Sequence, residues 1–149
     1  MTTKPHIKKI AAEVAGACAC HVLRKAARKV SRLYDDALRS TGIKATQLVM
    51  LSGVALREGA TLTGLAEGLG MDRTTLSRNL TPLTKNGWIQ VSPEGYRRTR
   101  TVELTAKGNK VLEDTLPRWQ AVQKSLRKKI GKKSWNAIQL EMARMATLL

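Results

Sequence analysis

From Ile7 to Leu38 apolar residues return at steps of three or four: Ile7, Ile10, Val14, Cys18, Val22, Ala26, Val30, Leu33 and Ala37. That spacing gathers them on one face of a helix. Gly16 is its weakest point, where a bend or a restart is expected. Thr41-Gly42 puts a glycine where such a helix ends, and residues 1–6 read as a short arm before it. Leu48, Leu51 and Ala55 mark a second helix over 45–57, followed by the turn Arg57-Glu58-Gly59-Ala60. Thr61-Leu62 suits one short strand. Thr63 is placed to cap a short helix from Gly64 to Leu69. Gly70-Met71 makes a tight turn, and Asp72 caps the next helix. Leu76, Leu80 and Leu83 form that helix's apolar face, and Asn86-Gly87 ends it.

At Trp88 the period changes to two. Trp88-Ile89-Gln90-Val91 and Thr101-Val102-Glu103-Leu104 read as the two strands of a hairpin, with a basic tip at Tyr96, Arg97, Arg98, Thr99 and Arg100. Helical spacing then resumes. Thr105 opens a long helix with Val111, Thr115, Trp119, Val122, Leu126 and Ile130 on one face. Gly131 separates it from a last helix carrying Trp135, Ile138, Met142, Met145 and Leu149. Pro82 and Pro117 fall inside these helical patterns, where each costs about 3 kcal/mol in a regular helix. The apolar spacing continues across both, so kinked helices are expected rather than breaks.

The expected fold is therefore mostly α with a small β-hairpin, in one domain of 149 residues. Charge narrows what it meets. Lys and Arg number 27 against 11 Asp and Glu, a formal net charge of +16. A folded domain that keeps such self-repulsion is matched to a polyanion, nucleic acid or an anionic membrane. The 42% hydrophobic content excludes a disordered basic tail. Aromatics are 3%, with no Phe, which disfavours modules that read single strands by stacking. No apolar run nears the roughly 20 residues of a spanning helix. Lys4, Lys8 and Lys9 before an Ala-rich stretch mimic a signal peptide, but Glu13 interrupts the stretch and Arg24 resumes the charge. With only two cysteines, a soluble, cytoplasmic protein is expected.

Residues 63–86 form short helix, glycine-containing turn, longer helix, the helix-turn-helix layout. The second helix begins Asp72-Arg73-Thr74-Thr75-Leu76-Ser77-Arg78. Arg73, Thr74, Thr75, Ser77 and Arg78 are side chains that hydrogen-bond base edges or phosphates, and the first turn of such a helix enters the major groove. Arg97, Arg98 and Arg100 stand on a hairpin too small for a core of its own, which suits a narrow minor groove. A helix-turn-helix followed at once by such a hairpin is the winged-helix arrangement, here spanning 44–104 with the wing at 88–104. The alternatives are a solvated helix face and a solubilising loop.

This stretch resembles the MarR family of bacterial transcription regulators. The matching residues are Leu65-Ala66-Glu67, Leu69-Gly70-Met71-Asp72-Arg73-Thr74-Thr75-Leu76, Leu83 and Asn86-Gly87-Trp88-Ile89. The wing pattern follows as Arg98, Val102, Leu104, Thr105 and Gly108, and Leu23 to Asp35 fits the family's first helix. The resemblance covers about residues 18–130. It implies a homodimer on double-stranded DNA, built by the helices at 7–40 and 105–149, with the wing contact carried to Arg98. One departure stands out: Tyr96 occupies the place of an Asp usual before the wing arginines. The long apolar faces at both chain ends favour a dimer independently, because a small winged helix cannot bury them all.

Family members commonly bind small aromatic or anionic effectors, and His21, Arg24 and Trp119 are candidate linings here. Some respond to oxidants through a cysteine. Cys18 and Cys20 are the candidates in this chain, against a plain packing role. No metal site is expected: Cys18 and Cys20 point apart on a helix, and His6 is the only other histidine besides His21. No cofactor and no catalytic residue is expected either, since phosphate loop, activated nucleophile and carboxylate cluster are all missing. Two basic runs lie outside the winged helix. Residues 118–133 hold Arg118, Lys124, Arg127, Lys128, Lys129, Lys132 and Lys133 with no acid, and 24–32 hold Arg24, Lys25, Arg28, Lys29 and Arg32. The rival functions are a non-specific architectural nucleic-acid binder and a peripheral membrane protein using the N-terminal helix.

Overall fold

A computed structural model describes residues 4–57, 59–93, 95 and 99–148. Among them are seven α-helices and one two-stranded antiparallel hairpin. The helices are α1 (Pro5–Ala17), α2 (Ala19–Leu38), α3 (Ala45–Ala55), α4 (Leu62–Gly68), α5 (Arg73–Lys85), α6 (Ala106–Ile130) and α7 (Lys132–Leu148). The strands are β1 (Ile89–Val91) and β2 (Val102–Leu104), in register Ile89–Leu104, Gln90–Glu103, Val91–Val102.

The core occupies the middle of the chain. Leu38, Ile43, Met50, Leu51 and Val54 from α2, α3 and their link meet Leu65 and Ala66 of α4 and Leu76, Leu80 and Leu83 of α5. Trp88, Ile89 and Val102 close it from the hairpin. Side-chain hydrogen bonds fix how these pieces join. The Asp35 carboxylate on α2 accepts from the Ala45 N–H at 2.7 Å, tying the start of α3 to α2. The Thr105 hydroxyl donates to the Gly87 carbonyl at 2.6 Å and accepts from the Gly108 N–H at 3.1 Å. It therefore caps α6 and pins it to the hairpin root. Gly108 is needed there, since a Cβ would overlap the Trp88 carbonyl.

Three sequence expectations need correction. The first long helix breaks at Cys18, which adopts φ −69°, ψ 110° and separates α1 from α2. Gly16 remains helical, so its weak propensity is felt two residues downstream. The short helix begins earlier than expected: Thr61, not Thr63, is the N-cap, its hydroxyl accepting from Gly64 N–H at 3.1 Å. With its side chain so used, Thr61 contributes only a single bridge to Thr101 instead of a strand. Finally, α5 and α6 run through Pro82 and Pro117 without breaking. Both prolines are exposed, so each missing donor lies on a helix's solvent side.

The ends differ from the middle. No residue of α1 or α7 is buried, and Ile7, Ile10, Val14, Ile138, Leu140 and Met142 stand exposed. Among the described residues no helix is long and apolar enough to cross a membrane.

Candidate nucleic-acid interface

The turn between α4 and α5 is set by backbone bonds. Leu69 N–H reaches the Leu65 carbonyl at 3.0 Å and Met71 N–H the Ala66 carbonyl at 2.9 Å. Gly70 between them takes φ 62°, a left-handed conformation that favours glycine. The chain then enters α5 through Asp72, whose carboxylate accepts from the Thr75 N–H at 2.8 Å and the Thr75 hydroxyl at 2.6 Å. These bonds, the hydroxyl's first, hold the Asp72 carboxyl below its ordinary pKa. Leu76, Leu80 and Leu83 lock the inner face of α5 into the core.

That anchoring turns the other side outward. Arg73, Thr74, Thr75, Ser77 and Arg78 are all exposed. By the helical angle of 100° per residue, Thr74 and Arg78 lie opposite the buried leucines, with Arg73 and Ser77 beside them. Among the described residues no carboxylate pairs with Arg73 or Arg78. Their guanidinium forks are therefore available for an external acceptor. Thr75 is constrained, because its hydroxyl proton goes to Asp72 and leaves its methyl group and lone pairs outward. Lys85 continues the outward row. Sequence reasoning passed over it, although its spacing from Thr74 and Arg78 places it there.

The wing is joined to this unit as well as to α6. Leu62 N–H donates to the Arg100 carbonyl at 2.9 Å, and Val102 N–H to the Ala60 carbonyl at 3.1 Å. Ser92 N–H reaches the Thr101 carbonyl at 2.9 Å and Gly95 N–H the Thr99 carbonyl at 2.8 Å, extending the hairpin past its strands. Arg100 thus stands at the root of the wing, beside the start of α4, rather than at its tip. Arg97 and Arg98 lie outside the described residues, as do Tyr96 and Glu94.

This helix-turn-helix with a hairpin tied to both ends is the shape of known regulators. The transcriptional regulator MosR of M. tuberculosis, solved in complex with DNA, matches with a TM-score of 0.80 at 34% identity, over 88% of this chain and 95% of that one. The chain belongs to the MarR family of transcriptional regulators. A MarR variant from E. coli, complexed with operator DNA, shares the fold at TM-score 0.79 and 21% identity over 89% and 96% of the two chains. BpsR of Bordetella bronchiseptica, whose DNA binding is regulated by 6-hydroxynicotinic acid, does so at 0.77 and 20% over 88% and 95%. No protein-family model and no curated protein sequence matches. Like its MarR relatives, the protein is a winged-helix, DNA-binding transcriptional regulator.

The remaining candidates scatter. Trp119 lines a cleft of about 690 Å³ where α6 meets α7. His21 and Arg24 are exposed on α2 and do not line that cleft. Cys18 is half-buried at the break between α1 and α2, and Cys20 is exposed one turn into α2. Because Cys18 is not helical, the two thiols are not held at the fixed angle that one continuous helix would impose.

Proposed function

We propose that the protein is a sequence-reading repressor. It would grip a pseudo-palindromic operator as a homodimer, and a small-molecule effector or an oxidant would release it. The observation that carries the DNA reading is the outward face of α5. Arg73, Thr74, Ser77 and Arg78 stand on a helix whose inner face is fixed by three buried leucines. A rigid helix presenting unpaired bidentate donors is suited to guanine edges in a major groove. Thr75 offers its methyl group to a thymine. Arg97, Arg98 and Arg100 serve the wing contact, in the minor groove and on phosphate. The DNA complex of MosR supports the same mode.

The homodimer is supported by the apolar residues that α1 and α7 leave exposed. Pairing two copies through them would set two α5 helices about one DNA turn, roughly 34 Å, apart. Release by a ligand is supported by BpsR, which responds to 6-hydroxynicotinic acid.

The test is binding to duplex DNA from the protein's own upstream region against a scrambled duplex, from about 50 to 200 mM salt. A preference retained at the high end is expected. Replacing Arg73 or Arg78 by Ala should cost about 1–3 kcal/mol and relax the preference at one base position. Replacing Arg98 should weaken binding to all sequences and flatten the salt slope. Parallel collapse on both duplexes, together with no preferred site in a genome-wide selection, would instead favour a non-specific architectural binder, the reading that the +16 charge suggests.

A further inference from the structure

The cleft between α6 and α7 is built from residues that the DNA-reading unit does not use. Trp119 on α6 and Trp135 on α7 line it, and Gly131 forms the corner between the helices. Lys124, Arg127, Lys128 and Lys132 line it too, and no acid does. Of the seven cations in 118–133, Arg118, Lys129 and Lys133 are not among its lining. The charge is thus concentrated in a concavity, where a single sign of charge focuses the field on a counter-ion. Among the described residues none of these four cations pairs with a carboxylate. The side-chain oxygen of Gln123, also in the lining, is buried without a hydrogen-bond partner. A buried acceptor left so is costly unless something else meets it.

The position sets this cleft apart from the wing. Gly108 packs on the hairpin root, and the 23 residues from there to Gly131 run about 35 Å along α6. One duplex engaged by α5 and the wing is read at the other end of that helix.

Charge decides between occupants. A second copy of the chain would bring its apolar helices, but α1 carries Lys8 and Lys9 against Glu13, and α7 carries Lys132, Lys133 and Arg144 against Glu141. Neither can neutralise four cations. A monocarboxylate would leave three unmatched. A ligand with several negative charges and a flat body fits both features, with phosphates on the lysines and Arg127 and a ring on the indoles. We propose that the α6–α7 cleft binds a nucleoside polyphosphate, with Gln123 accepting from the base edge.

The test is tryptophan fluorescence of the full-length protein at physiological salt, titrated with ATP, GTP, inorganic triphosphate, adenosine and benzoate. Trp88 is buried in the core, so Trp119 and Trp135 carry the response. A saturable change is expected for the nucleotides, at least about tenfold tighter than for triphosphate or adenosine alone. The double variant Arg127→Gln/Lys128→Gln should bind about tenfold more weakly or worse, the scale of one lost charged hydrogen bond. Both side chains are exposed, and an unchanged melting curve verifies the fold. Trp135→Leu should remove most of the signal. Unaltered nucleotide affinity in the double variant would overturn the proposal, because binding would then lie elsewhere on the basic surface. Triphosphate as tight as ATP would reduce the cleft to a charge patch, and benzoate as tight as ATP would reduce it to an apolar one. Either outcome, or no saturation by millimolar nucleotide, also overturns it. The proposal does not rest on the operator reading: upstream-duplex binding by the same variant, with no nucleotide added, reports on that reading separately.

Discussion

The middle of this chain and its two ends use the same kind of sequence for different ends. From Leu38 to Val102 lie thirteen of the fourteen buried apolar side chains, so the fold of a single copy is decided there. In α1 and α7 apolar residues recur at the same helical spacing, yet none is buried. Periodicity specifies that a face is apolar. It does not say whether the face meets its own chain or another. The middle also carries its side-chain caps, at Thr61, Asp72 and Thr105, while α1 begins at Lys4 with none.

The contrast is tested most strongly by removing one buried side chain. Leu76→Ala should cost about 2–5 kcal/mol in denaturant unfolding, since Leu76 is 1% exposed within the core. The same truncation at Ile138, 44% exposed on α7, should lower the stability of a dilute sample by about 0.5 kcal/mol or less. At higher concentration it should instead raise the dissociation constant of a particle of twice the 16.4 kDa chain mass, read by sedimentation. Equal, concentration-independent losses at both positions would erase the distinction between middle and ends.

A smaller effect is expected from two glycines. Gly108→Ala forces a methyl group into the Trp88 carbonyl and should cost about 1–3 kcal/mol, because backbone must move. Gly16→Ala meets nothing within 4 Å. In the interior of α1 it should raise helicity by up to about 1 kcal/mol of local propensity, read by circular dichroism. A loss at Gly16 as large as that at Gly108 would mean that α1 is packed as tightly as the hairpin root.

These pairs also explain what was legible in the sequence. The core face Leu76, Leu80 and Leu83, the caps at Asp72 and Thr105 and both strands follow from spacing and cap chemistry, which act within a few residues. The cap at Thr61 was displaced because Thr61 and Thr63 are chemically alike. What selects Thr61 is the bond from Leu62 N–H to the Arg100 carbonyl, a contact 38 residues away in sequence. The break at Cys18 has no local signature, since Ala-Cys-Ala continues a helix as readily as it interrupts one. For the candidate site, the exposed row on α5 was readable because burying three leucines fixes the opposite face. The effector lining was not. His21 and Arg24 are far in sequence from Trp119, and only the meeting of α6 with α7 picks Trp135 and Lys132 as its neighbours.

The smallest expected effect is a pH dependence present at one helix start and missing at another. Asp72 accepts two hydrogen bonds from Thr75, and these favour its ionised form, so its pKa in the folded protein lies below the unfolded value of about 3.9. A carboxylate whose pKa is depressed by folding stabilises the fold fully above the unfolded pKa. The contribution fades as pH falls through the folded value, when proton uptake breaks the cap. The melting temperature of the native chain should therefore exceed that of Asp72→Ala by a constant margin from pH 5 to 7 and by less below about pH 4. At the start of α1, where Lys4 provides no side-chain cap and the first turn has no acid, Lys4→Ala should leave the same pH profile unmoved. A margin at Asp72 that instead widened on acidification would mean that the carboxyl is held in its protonated form. The entry to α5 would then rest on backbone bonds alone, as the entry to α1 does.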